Sequence, residues 1–473
     1  MSEKQVSRTR AGPAGERRTA WPSPAALTLA AMSLGFGVVQ LDVTIVNVAV
    51  NSIGASFGGK VAALQWVVTA YTIAFAAFIL SAGALGDRIG SKRVFMAGFA
   101  IFTLASLGCA LAPTLPMLIG ARTLQGLGAA VLVPNSLALL NHAYADDEAR
   151  SRAVGTWAAG ASIALTTGPL VGGGLIEAFG WRSIFLVNLP IGLAGLWLTW
   201  RYAKDTPKNS ARKVDLPGQI IAVAVLGLLA AAFIEGGAIG WTGLWVLAGL
   251  AATLALTGVF VLQEQRSTQP MLPLGLFRDP TFSAASAAGL LLNIAFYGLI
   301  FVFSLYFQRV DRFSVLWTGM AFVPMTGACL VANLFAARVS ARVGVRTTIF
   351  AGLALMSVAS LLMLRIDKDM GYGWLLAPFL ILGAGLGLVV PPLTSALLGS
   401  VDKARSGIAS GVLNASRQTG SVLGVSLFGS FLVGAEAMVQ GVRIALAISA
   451  GLLLTACAVV LVGIGRKKHG RAR

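Results

Sequence analysis

Charged side chains are scarce in this chain, 11% of its 473 residues, where a soluble protein of this length carries roughly a quarter. Acidic residues are scarcer than basic ones, 18 against 36, and there are two histidines and three cysteines. These shortages exclude several classes of function. No His-Glu-x-x-His helix is present to hold a catalytic zinc, and His142 and His469 both fall in polar segments, so no buried metal ligand is expected. Cys109, Cys329 and Cys457 stand singly in separate apolar stretches and read as small packing residues. Paired catalytic carboxylates, which an intramembrane enzyme would need, are missing, and nothing in the chain calls for a cofactor. The net charge of +18 does not indicate nucleic acid, because the basic residues form no single stripe.

What the chain has instead is apolar length: 56% of its residues are hydrophobic and the mean hydropathy is +0.81. A helix needs about 20 apolar residues to cross a bilayer. Such blocks fall near 25–50, 64–86, 94–113, 115–140, 154–176, 183–201, 217–236, 241–262, 282–308, 315–338, 346–365, 374–398, 406–432 and 442–465. The expected fold is an all-α polytopic membrane protein of fourteen spans embedded in a lipid bilayer. The first block is too long for a signal peptide and contains Asp42, so it reads as a retained helix. Residues 1–24 and 466–473 read as basic tails, the first disordered.

Basic residues alternate from loop to loop. Arg88, Lys92, Arg93, Arg150, Arg152, Lys204, Lys208, Arg338, Arg342 and Arg346 fall on one side with both tails, whereas the other side carries few, among them Lys60, Arg182 and Arg312. By the positive-inside rule both termini are cytoplasmic, and thirteen spans would break the alternation.

The blocks also repeat. GLGAAVLVPNSLALL at 126–140 matches GLGLVVPPLTSALL at 385–398, and each precedes an Ala-Arg-Ser loop. Thr167-Gly-Pro-Leu-Val-Gly172 matches Thr419-Gly-Ser-Val-Leu-Gly424, and Asp87-Arg-Ile-Gly90 faintly matches Ala341-Arg-Val-Gly344. The expected units are a six-helix bundle at 25–201, a linker with an inserted helix pair at 202–281, and a second six-helix bundle at 282–465. Repeated halves are the architecture of transporters that rock about a midplane site.

Ionised groups within spans are costly and usually functional. Asp42, Arg122 and Arg417 are the clear ones. Asp42 lies about eight residues before the outer end of its block and Arg122 about eight after the outer end of its own, so both are about 12 Å deep and can meet. A carboxylate balanced between an arginine and desolvation can exchange a proton when geometry changes; the alternative is a permanent structural pair. Arg417 has no acidic partner in its own half, and either faces a cavity or is satisfied by Gln418, Asn414 and carbonyls. The loop Gly83-Ala-Leu-Gly-Asp87-Arg88-Ile-Gly90-Ser-Lys92-Arg93 can form a charge network that latches one conformation, or can simply set topology. In Gly168-Pro169-Leu-Val-Gly172-Gly173 a proline that removes a helical bond is joined to glycines that admit a neighbouring helix, a combination suited to a gate. Gln40, Asn47, Tyr71, Gln125, Asn293 and Tyr297, with Arg417, are candidate cavity residues, though each is also a plausible packing residue.

Together these residues resemble the major facilitator superfamily, and within it the fourteen-span drug:proton antiporters. Leu41-Asp42-Val-Thr44-Ile-Val-Asn47-Val-Ala49 is similar to that family's first-helix signature, the 83–93 loop to the superfamily loop motif, Arg122-Thr-Leu-Gln125-Gly126-Leu-Gly128 to the fourth-helix motif, and Gly168 to Gly173 to the fifth-helix antiporter motif. Gly180-Trp181-Arg182, Asn188-Leu-Pro190 and Leu276-Phe277-Arg278 fit the same pattern. The resemblance implies a monomeric exporter of the bacterial inner membrane that exchanges protons for small molecules, with Asp42 and Arg122 in proton coupling and Asp87 in the latch. Ala341 stands where the second copy of the loop would have an acid, so the latch is one-sided. With no buried acid in blocks 9 to 13, neutral or monocationic lipophilic substrates, or one dedicated antibiotic, are favoured over dications. A native metabolite or siderophore is the alternative cargo.

Overall fold

The computed structural model describes residues 23–144, 146–209, 214–368, 370–402, 406–432 and 438–465. The tail 466–473 lies wholly outside the described residues, and so does 1–24 apart from Ser23 and Pro24.

The chain forms α1 (Pro24–Phe57), α2 (Val61–Ile89), α3 (Ser91–Leu111), α4 (Leu115–Ala143), α5 (Asp147–Phe179), α6 (Ser183–Leu186) and α7 (Asn188–Tyr202). There follow α8 (Leu216–Ile239) and α9 (Leu244–Arg266), then α10 (Pro280–Arg309), α11 (Val315–Ala321), α12 (Val323–Val343), α13 (Val345–Leu362), α14 (Gly373–Gly399), α15 (Ser406–Ser430) and α16 (Met438–Gly463). Helix starts follow local chemistry. Ser23, Thr114, Asp146, Asp215, Asp279 and Ser314 each accept a backbone N–H of the first turn through their side chains. The sixth apolar block is interrupted between α6 and α7, and the tenth between α11 and α12.

Among the described residues, thirteen helical stretches are long and apolar enough to cross a membrane. The remaining long helix, α15, has 25 residues but is diluted by Ser410, Asn414, Arg417, Gln418 and Thr419. It is nonetheless central, packed against α10, α2 and α8.

The internal repeat is visible in the packing. In the first half α1 contacts α5 and α7, and α4 contacts α2 and α3; in the second, α10 contacts α15 and α16, and α14 contacts α12 and α13. The halves meet along two seams, α2 against α15 and α5 against α11 and α12. The inserted pair lies outside this core. α8 covers the α2–α15 seam, and α9 rests mainly on α8. The most apolar stretch of α10 is 89% buried and that of α9 only 11%, so α9 presents an apolar surface outward, as a lipid-facing helix does.

The two ends of the bundle differ. At the end opposite the α2–α3 turn the halves are bonded together. Gln65 Nε2 donates to the carbonyls of Val425 and Ser426 at 2.9 and 2.8 Å. Ser304 Oγ donates to the Asn47 carbonyl at 2.7 Å, Gln308 Nε2 to that of Val48 at 3.1 Å, and Arg309 Nε to Asn51 Oδ1 at 3.1 Å. At the α2–α3 end, the basic end, a cavity of about 340 Å³ separates α2 and α4 from α15, and a second cavity of about 990 Å³ lies at the bonded end, beside the α1–α2 turn and the C-terminal ends of α8 and α10.

Candidate functional site

Asp42 and Arg122 meet. Arg122 Nη1 donates to Asp42 Oδ2 at 2.5 Å, and the two residues are 1% and 0% exposed. The same Nη1 reaches Gln125 Oε1 at 2.6 Å, and Nε donates to the Val67 carbonyl at 3.1 Å. Gln125 lies one helical turn from Arg122, so both project on one face of α4. Its amide nitrogen reaches both Asp42 Oδ1 and Ser106 Oγ at 2.9 Å. Asn188 Nδ2 approaches Asp42 Oδ1 at 3.4 Å and Ser106 Oγ at 3.3 Å. The guanidinium lies 4.2 Å from the centre of the Tyr71 ring, a cation–π contact that tolerates burial. Five helices, α1, α2, α3, α4 and α7, thus supply one buried polar network in the first half.

Such a network can respond to a proton. Neutralising Asp42 would remove the charge that Arg122 compensates, and Arg122 also ties α4 to α2 through Val67. A protonation event here is therefore a change in helix-to-helix bonding, not only in charge. With Asp42 fully buried, a proton reaches it only when the helices move.

Ser106 was not singled out from the sequence, where its only signal is polarity within an apolar block, which many packing residues share; Asn188 stood out there only as part of the Asn188-Leu-Pro190 resemblance, with no role attached. Of the candidate cavity residues, Tyr71 and Gln125 belong to this buried network. Asn47 and Asn293 donate to carbonyls of their own helices, those of Val43 at 2.8 Å and Gly289 at 2.6 Å. Gln40 is half-buried and Tyr297 buried. Arg417 is held by neither Gln418 nor Asn414 but donates to Thr394 Oγ1 of α14 at 2.8 Å. None of these seven lines the basic-end cavity or the one at the bonded end; the polar wall of the first comes from residues such as Asn135, Asn141 and Asn414. The reason is geometric: a polar side chain in an apolar helix turns to the nearest acceptor, commonly its own preceding turn.

The glycines at 168–173 divide between two neighbours. A Cβ on Gly168 would clash with Thr44, and one on Gly172 would lie 2.6 Å from Ile45 Cγ1, both on α1. A Cβ on Gly173 would lie 2.9 Å from Leu316 Cα of α11, across the seam. Pro169 has no N–H, so the Leu165 carbonyl loses its helical donor; Thr44 Oγ1 approaches that carbonyl at 3.3 Å. The motif therefore fastens α5 to α1 while touching the second half at the bonded end.

In the 83–93 loop, Gly90 has φ +101, a conformation that L side chains rarely adopt. It lets the chain pass directly from α2 into α3. The segment after α7 crosses this turn. Asp205 Oδ1 accepts the Lys92 N–H at 3.1 Å, Thr206 Oγ1 accepts the Ser91 N–H at 2.9 Å, and the Asn209 N–H donates to the Asp87 carbonyl at 2.8 Å. Lys92 Nζ donates to the Trp200 carbonyl at 3.0 Å. Gly83 and Asp87 line the basic-end cavity, while Arg88 and Arg93 are exposed.

Two pseudo-repeated helical bundles, hydrogen-bonded to each other at one end and parted by a cavity at the other, with a buried charge network in the first, define the class of polytopic secondary transporters. The particular family follows from comparison with known proteins. Residues 32–425 match the family model of the Major Facilitator Superfamily, and the chain belongs to that family. It is 39% identical over 421 residues to the methylenomycin A resistance protein of Streptomyces coelicolor, covering 89% of this chain and 88% of that one. It is 38% identical to the multidrug resistance protein Stp of Mycobacterium tuberculosis, covering 86% and 75%, and 30% identical to the tetracenomycin C resistance and export protein of Streptomyces glaucescens, covering 88% and 76%. Among solved structures it resembles an inward-facing bacterial homolog of the lysosomal transporter Spinster, with a TM-score of 0.66, 17% identity and coverage of 95% and 98%. The peptide transporter POT gives a TM-score of 0.67 at 16% identity, covering 91% and 93%. These two likenesses establish the fold alone. The protein is a multi-pass membrane protein of a transporter family.

Proposed function

We propose that this protein exports small lipophilic drugs or antibiotics from the bacterial cytoplasm across the inner membrane in exchange for protons, by alternating access. The observation that carries the reading is the Asp42–Arg122 pair, buried and bonded across five helices, in a chain whose relatives are named for resistance and export. Ionised groups are retained inside a membrane for function far more often than for stability. In this reading α15 is the fourteenth span, both termini and the basic end are cytoplasmic, and the described conformation is open to the cytoplasm. The 83–93 turn acts as a cytoplasmic latch, the 168–173 segment as the gate of the outer seam, and a single copy of the chain suffices. Relatives named for one antibiotic, such as methylenomycin A, favour a second reading in which the cargo is a single dedicated compound.

The test uses an efflux-deficient bacterial host expressing the native chain or Asp42→Asn, grown across a panel of antibiotics, dyes and biocides. Protection by the native chain alone, with both forms in the membrane, is the expected result. Equal protection by Asp42→Asn would refute the coupling role, and protection against a single compound would favour the dedicated reading.

A further inference from the structure

The inserted pair carries two buried carboxylates that the transport cycle above does not use. Asp215, the N-cap of α8, is 8% exposed, and Glu264, in the last turn of α9, is 3% exposed. Each engages one oxygen with a backbone N–H: Asp215 Oδ1 accepts from Gly218 at 2.9 Å and Glu264 Oε2 from Leu272 at 2.8 Å. The other oxygen of each, Asp215 Oδ2 and Glu264 Oε1, is buried without a hydrogen-bond partner. Both face the same small space, since a Cβ on Gly218 would lie 2.5 Å from Glu264 Oε1 and 3.1 Å from Asp215 Oδ2. Gln219, 3% exposed and one turn along α8, has a further unpartnered buried oxygen.

Stability does not account for this arrangement. A negative charge at the C-terminal end of α9 opposes the helix dipole, and two carboxylates facing one space repel each other unless a positive charge joins them. Among the described residues neither carboxylate belongs to an ion pair. Among the described residues the helices packed against α8 supply no compensating cation to the adjoining cavity: α2 contributes Asp87, α9 contributes Glu264 to the pair itself while its Arg266 is exposed, and α15 contributes Ser410 and Asn414; Arg212 and Lys213, just before Asp215, lie outside the described residues. Asp215 is part of the wall of this 340 Å³ cavity, so the pair has a route to solvent at the basic end. The space at Gly218 is too tight for an organic group, so the ligand that joins the two oxygens is a proton or a small cation.

We propose that Asp215 and Glu264 share one proton and form a second proton-exchange site, carried on the inserted helix pair and loaded through the basic-end cavity. It rests on the proton-coupled reading above and adds to it a site where α8 covers the α2–α15 seam, the seam that must shear when the halves rock. Movement of α15 alters the seat of α8, and with it the separation of the two carboxylates.

Infrared spectroscopy of the purified full-length protein in lipid tests this without a transported substrate. At neutral pH the native chain is expected to show the carbonyl stretch of a protonated carboxylic acid, lost in Asp215→Asn and in Glu264→Gln and retained in Asp42→Asn. Asn and Gln keep the oxygens that Gly218 and Leu272 donate to, so both variants retain the local fold; far-ultraviolet circular dichroism checks that they do. An unchanged band in both variants, or a band lost only in Asp42→Asn, overturns the proposal. A band that disappears when sodium replaces choline assigns the site to Na⁺ and overturns the proton assignment.

Discussion

Replacing Arg122 by Met separates the charge pair from the packing around it. Met fills a similar stem volume but removes the bonds to Asp42, Gln125 and the Val67 carbonyl, along with the cation–π contact to Tyr71. Asp42 keeps the amides of Gln125 and Asn188 but loses its counter-charge, and breaking a buried pair in this way costs about 3–5 kcal/mol. The double variant Asp42→Asn, Arg122→Met leaves no uncompensated charge. It is expected to recover part of that loss, giving a coupling energy of about 2–3 kcal/mol. Equilibrium unfolding of the purified protein in a denaturing detergent, followed by tryptophan fluorescence, measures all corners of the cycle. Effects that add to within about 0.5 kcal/mol would refute the argument that these residues act as a unit. In the efflux assay both variants are expected to be inactive, so a rescue confined to stability would separate the structural from the functional part of the pair.

Gly172→Val inserts side-chain atoms against Ile45; overpacking of about 1–3 kcal/mol is expected to abolish efflux while immunoblots of membrane fractions still show inserted protein. Asp205→Ala removes the acceptor of the Lys92 N–H, and the loss of a cap, about 0.5–2 kcal/mol, is expected to speed hydrogen exchange at residues 91–94 with little change elsewhere. Burial pushes the Asp311 carboxyl, between α10 and α11, up to about 6, against a partial offset from the Tyr306 hydroxyl. Because the folded protein holds this proton more tightly than the unfolded chain does, stability is expected to fall as pH rises from about 4 to about 6. Asp311→Asn should flatten that part of a thermal-stability profile against pH.

Much of this protein was legible in one dimension because the relevant information is local. Bilayer thickness fixes the length of an apolar block, loop charge marks its ends, and a repeated motif marks a second half, so an all-helical polytopic chain is legible in the sequence, while α15, diluted by polar residues, falls short of the apolarity of the other thirteen stretches. Depth is local too: with a fixed rise per residue, counting from block ends placed Asp42 and Arg122 at one level. What the sequence could not supply was rotational phase. A helix apolar on every side has no face that periodicity can identify, so nothing in the chain told whether Gln125 pointed to a cavity or to Asp42. Nor could it assign Gly172 to α1 and Gly173 to α11, or Thr394 to Arg417. Ser106 and Asn188 join the network, and Asp215 meets Glu264, only because the packing of distant helices sets how each is rotated. Composition and order determined which elements exist and how deep their charges lie; the tertiary structure alone decided which side chains face one another, since that choice depends on contacts between residues far apart in the chain.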